Sequence, residues 1–106
     1  MWAVSLATGC AMGTGPGVRG PEVEDIEALE AAIAAQESIS SGQGECLDRC
    51  RASVLICDCA ERICELASDL AELDAMERCR RARESCREAR ERVSETCSCE
   101  WDRPPT

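Results

Sequence analysis

Between Pro21 and about Ile39 the apolar positions Val23, Ile26, Leu29 and Ile33 recur at steps of 3, 3 and 4, which draws one stripe down a helix. Pro21 suits a first helical position, and Glu22, Glu24 and Asp25 complement the positive end of the helix dipole. Ala28, Ala31, Ala32, Ala34 and Ala35 add helix propensity. The run Ser40, Ser41, Gly42, Gln43 and Gly44 ends the pattern. A second helix is expected from about Glu45 to Leu70, with Leu47, Val54, Ile63, Leu66 and Leu70 offering the strip on which the first would dock. A turn at Ala71, Glu72 and Leu73 follows. Asp74 with Glu77 has the capping-box spacing, so a third helix is expected from Ala75 to about Thr96. That helix is almost wholly charged. Arg80 with Glu84, Arg87 with Glu91 and Glu88 with Arg92 have i,i+4 spacing, worth only about 0.2 to 0.5 kcal/mol a pair, so it would be marginal alone.

The cysteines supply what the apolar pattern lacks. Nine of the ten lie between Cys46 and Cys99. Cys46, Cys57 and Cys64 are spaced by 11 and 7 residues, and Cys79, Cys86 and Cys97 by 7 and 11, so the three resulting pairs share one centre between Ala71 and Glu72. At about 100° per residue each triplet stays within about 20° of a single line along its helix. Ser53, Ala60 and Ala67 accompany one line, and Ala82 and Ala89 the other. A disulfide needs Cα atoms about 5.5 Å apart, closer than the roughly 8 to 10 Å of ordinary helix packing, and small neighbours permit that approach. An antiparallel hairpin would therefore join Cys46 to Cys97, Cys57 to Cys86 and Cys64 to Cys79. Cys50 and Cys99 add a bridge at the open end, either as Cys46 with Cys97 plus Cys50 with Cys99 or as the crossed set. Cys59 lies about 200° from Cys57 and is left as a free buried thiol or an intermolecular link.

Composition sharpens this picture. A chain of 106 residues with no Phe, Tyr or His and only two Trp cannot build a large core. Staples or a metal must then carry the fold. A formal charge of −9 argues against nucleic acid as a partner. The acids are not evenly spread. From Glu45 to Leu70 six acids and three Arg give −3, while from Ala75 to Thr96 five acids and seven Arg give +2, so the two arms are complementary. Redox catalysis lacks support, since there is no Cys-x-x-Cys and neither His nor Lys to activate a thiol. No pocket of acid/base residues is visible either, and no enzyme activity or cofactor is expected. The competing reading is Cu(I) held by thiolates. Cys46-x3-Cys50 puts two sulfurs on adjacent turns, and the chain in this respect resembles the bacterial copper-storage four-helix bundles.

The N-terminus reads as an export segment. Residues 1–9, MWAVSLATG, form a short apolar run ending in small residues before Cys10. Leu6, Ala7, Thr8, Gly9 and Cys10 resemble the lipobox of bacterial lipoproteins, which implies acylation of Cys10 and a membrane anchor there. Ala11 in place of Asp after that cysteine implies, on the same resemblance, sorting to the outer membrane, facing the periplasm. Residues 10–20, with four glycines after Cys10, then read as a flexible tether. Further on, ICELA at Ile63 to Ala67 and ERCRRARE at Glu77 to Glu84 resemble small cysteine-rich helical lipoproteins of Gram-negative bacteria, a group without an assigned activity.

The expectation is an all-α chain. An amphipathic helix at 21–41 precedes an antiparallel helical hairpin at 45–99 cross-linked by disulfides, with a short tail at 100–106. The expected role is a non-enzymatic, lipid-anchored envelope protein whose module meets a protein partner or a second copy.

Overall fold

The structure, a computed structural model, describes Cys10 and residues 22–99. The export segment, the tether at 11–20, Pro21 and the tail at 100–106 lie outside the described residues. The chain is all-α: α1 spans Glu22–Ser40, α2 Cys46–Leu70 and α3 Leu73–Thr96. α2 and α3 form the expected antiparallel hairpin, and α1 lies across it, packed chiefly on α2.

α1 turns its stripe inward. Ile26, Leu29 and Ile33 are buried against Ile56, Cys59, Ile63 and Leu66, while Val23 at the free end of the stripe stays 41 % exposed. At roughly 25 cal/mol per Å² of apolar surface removed from water, these side chains supply most of the fold's burial energy. The expected docking strip needs one correction: Ile63 and Leu66 belong to it, but Leu47 is 64 % exposed and Val54 44 % exposed. Those two residues sit roughly 140° round the helix from the centre of Ile63, Leu66 and Leu70, so one partner cannot cover both groups. Ile56, fully buried, takes the place they would have filled.

The hairpin turn is tighter than expected. Ala71 and Glu72 reverse the chain, Ala71 in the left-handed conformation at φ 56° and ψ 35° with its N–H donating to the Ala67 carbonyl at 2.9 Å. Glu72 is already the N-cap of α3, with no side-chain cap bond, and its carbonyl accepts from the Met76 N–H at 2.9 Å. Asp74 therefore does not act as the cap. It sits in the first turn, where its carboxylate favours the helix dipole and meets Arg78 Nε at 3.3 Å. A two-residue turn leaves no room for a cap at Asp74, because the bridges above it hold the two arms at matching heights.

The seam between α2 and α3 is lined by small residues. Ser53, Ala60, Ala67, Ala75, Ala82 and Ala89 are all buried. The Ser53 hydroxyl, with no access to water, donates to the Ala89 carbonyl across the seam at 3.4 Å. No described buried side-chain nitrogen or oxygen lacks a partner.

Candidate functional site

The feature that sets this chain apart is its sulfur ladder. Cys64 is bonded to Cys79 and Cys57 to Cys86, both with Cα atoms 4.7 Å apart. Cys46 is bonded to Cys97 at a Cα separation of 5.5 Å and Cys50 to Cys99 at 5.7 Å, so the uncrossed set closes the open end. The arms are thus nearest where alanine lines the seam on both sides, and separate towards the end where α3 gives way to extended chain at Cys97.

Each rung shortens the loop that the next must close. Cys57 and Cys86 lie seven residues beyond Cys64 and Cys79 on their arms, and Cys46 and Cys97 eleven beyond those. A single link closing 29 residues would restrict the unfolded chain by about 3.5 kcal/mol, and nested links by less each. The energetic function of the ladder is to hold α3, whose only large fully buried side chain is Val93.

Cys10 and Cys59 depart from expectation. They are bonded to each other, with Cα atoms 5.0 Å apart, and no described cysteine is free. Cys59 is therefore neither a free thiol nor an intermolecular link. The thioether of a lipoprotein would occupy the same Cys10 sulfur that here bonds Cys59. Both residues are buried, Cys59 completely, within the cluster that holds Ile26, Ile56 and Ile63. The fifth bridge thus pins the chain preceding α1 into the main core. An arithmetic signal was available: ten is an even number, and with four bridges across the hairpin the remaining two cysteines are Cys59 and Cys10.

Two arginines that sequence patterning did not single out clasp the helices at opposite ends. Arg49 on α2 donates through Nε to the Ser40 carbonyl at the end of α1 at 2.9 Å, and through Nη1 to Thr96 Oγ1 at the end of α3, also at 2.9 Å. Its charge meets the negative ends of both helix dipoles. Neither α1 nor α3 has a basic residue in its own last turn, so Arg49 serves both. Arg78, its side chain 22 % exposed, reaches Glu30 at 3.4 Å and Glu27 at 3.9 Å and ties α3 to acidic α1. Such clasps join residues far apart in sequence and leave no local spacing to read.

Chemically, the described surface offers charge and shape. Along α3, Arg80 bonds Glu77 and lies 3.3 Å from Glu84, and Arg87 lies 3.4 Å from Glu84 and 3.1 Å from Glu91. The hydrogen bond from Arg80 holds the Glu77 carboxyl below the usual carboxylate range, and Glu77 and Glu91 in turn hold Arg80 and Arg87 above theirs. An open depression of about 530 Å³ runs along α3 beside Arg83, Cys86, Arg87 and Arg90, and one of about 250 Å³ separates α1 from α3 beside Glu30, Glu37, Arg78 and Arg81. Glu91, Ser94 and Glu95 also line the first, and Ser85 the second. Among the described residues no group of three or more His, Cys, Asp or Glu is arranged to hold a metal ion, and no helix is long and apolar enough to cross a membrane. No family model, no curated protein and no solved structure matches the chain.

Proposed function

We propose that this chain is an exported, non-enzymatic interaction module, in which sulfur bridges hold two polar helices rigid so that their outer surfaces can meet a partner. The observation that carries the reading is the pairing of all ten cysteines into five bridges. Bridges of this number persist in an oxidising compartment such as the bacterial periplasm, where a small domain without a sizeable core gains most from them. The apolar run before Cys10, and the resemblance of the chain to small cysteine-rich envelope proteins, agree with export. A lipid anchor on Cys10 is not part of the proposal, since that sulfur is bonded. Cu(I) binding would need thiolates, and the bonded sulfurs do not supply them.

Intact-mass measurement and thiol titration of protein isolated from its native compartment without reductant test this directly. The expected result is a mass lighter by ten hydrogens than the reduced chain and no titratable thiol. Many free thiols, copper bound on reducing purification, or an acyl mass on Cys10 would overturn it.

A further inference from the structure

The hairpin has two broad faces, and α1 covers one. On the other, the half-buried sulfurs of Cys57, Cys64, Cys79 and Cys86 run down the middle with an exposed strip on either side. At about 100° per residue, positions up to about 100° beyond the cysteine line of α2 hold Leu47, Val54, Glu61 and Glu65, and no arginine. The corresponding positions of α3 hold Met76, Arg80, Arg83, Arg87 and Arg90, and no acid. All of these side chains are exposed. One half of the face is therefore acidic and apolar and the other half basic, separated by the ladder.

We infer that this face, which no described helix covers, docks a second copy of the same chain, face to face about a two-fold axis parallel to the helices. This rests on the reading of the hairpin as an interaction module. A two-fold axis in that direction lays α3 of each copy over α2 of the other, antiparallel and at the same height, so unlike charges meet. The alternative axis, across the helices, would stack α3 on α3 and arginine on arginine. The common centre of the hairpin between Ala71 and Glu72 sets the register. Arg83 and Glu61 lie at nearly equal distances from it, as do Arg80 and Glu65. Arg90 likewise falls level with Val54, and its aliphatic stem can cover that 44 % exposed side chain.

The size is adequate. A 25-residue helix is about 37 Å long, and two helices side by side are roughly 18 Å wide, so the face offers on the order of 700 Å² per copy. Specific dimers bury about 800 Å² per partner. The intrahelical pairs of Arg80 and Arg87 are no obstacle, because they are exposed, weak pairs that can re-form across the interface. With few apolar anchors, Leu47, Val54 and Met76, the association is expected to be weak, with a Kd on the order of micromolar, and sensitive to salt.

Sedimentation velocity of the oxidised chain from about 1 μM to about 1 mM tests this, at low and at high salt. The expected result is a monomer that doubles its mass with concentration and reverts on adding salt. Arg83→Glu and Glu61→Arg should each weaken dimerisation about tenfold or more, and the double variant should recover it, because the swapped charges re-pair across the two-fold axis. A monomer throughout, or a double variant no better than either single one, would overturn the inference. Both positions are exposed, so each variant should run ten hydrogens lighter than its own reduced form and keep the parent's helical circular dichroism, which together certify its fold. A monomer with all thiols bonded removes only the dimer, whereas free thiols remove the module reading beneath it.

Discussion

α2 makes two interfaces with opposite means. Against α1 it presents Ile56, Ile63 and Leu66, and association follows from burial of large aliphatic side chains. Against α3 it presents Ser53, Ala60 and Ala67, and association follows from covalent bonds with Cα atoms as near as 4.7 Å. The two solutions fill their interfaces differently. Where Cα atoms stand 4.7 Å apart across a disulfide, Ala and Ser occupy the neighbouring seam positions, whereas the α1 side is filled by isoleucine and leucine. A chain this poor in aromatic and aliphatic residues places its isoleucines at one interface and eight of its ten cysteines at the other, with the Cys10–Cys59 bridge inside the isoleucine cluster.

The comparison is broken most severely on the apolar side. Ile63→Ala removes a fully buried side chain facing α1 and should cost about 3 kcal/mol, read as a fall in the urea midpoint with an unchanged slope. The paired change Cys57→Ala with Cys86→Ala deletes the middle rung and should cost no more than about 3 kcal/mol, because the rungs above and below still restrict the unfolded chain. If the double cysteine variant proved much the more damaging, burial at α1 would not be the main source of stability. Ala89→Leu places a large side chain in the seam, where Ala89 has no access to water, and should cost about 1 to 3 kcal/mol while leaving a pair of titratable thiols on refolding. Retention of all five bridges at full stability would show that the seam needs no small residue.

Smaller effects sharpen the picture. Ala71→Gly relieves a left-handed alanine at the turn and should raise stability by about 1 kcal/mol, seen as a higher melting temperature. A decrease would mean that Ala71 stabilises the turn through its side chain. The smallest effect belongs to Glu77, whose carboxyl is held below its ordinary range by the hydrogen bond from Arg80. Its contribution is present above the unfolded glutamate value of about 4.3 and is lost as pH falls through the depressed folded value. Glu77→Gln should therefore lower stability slightly at neutral pH, flatten the acid limb, and converge with the parent once pH falls below the depressed folded value. A change as large at acid as at neutral pH would be inconsistent with that origin.

Much of the architecture was legible because it repeats. The angular line of Cys46, Cys57 and Cys64, its counterpart of Cys79, Cys86 and Cys97, and the stripe of Ile26, Leu29 and Ile33 are helical periodicities that neighbouring residues declare. Where structure and spacing part, a different property is at work. Leu47 and Val54 share the hydrophobicity of Ile63 but not its angle on the helix, and the capping-box spacing of Asp74 and Glu77 meets a two-residue turn that leaves no place for the cap. Arg49 and Arg78 tie together helices whose approach no local spacing announces.

The helices, their antiparallel hairpin and the heights at which cysteines face one another follow from residue order, because rise and rotation per residue are fixed. Only the tertiary structure decided which face of the hairpin α1 covers, that the open end pairs Cys46 with Cys97 and Cys50 with Cys99, and that Cys10 closes on Cys59. The reason is physical. α1 reaches the hairpin through the non-periodic residues 41–45, and Cys10 is followed by a glycine-rich run, so neither carries a phase that relates its position to the helices it joins. Their placement follows from which arrangement buries Ile26, Leu29 and Ile33, a property of the assembled core and not of any stretch of chain.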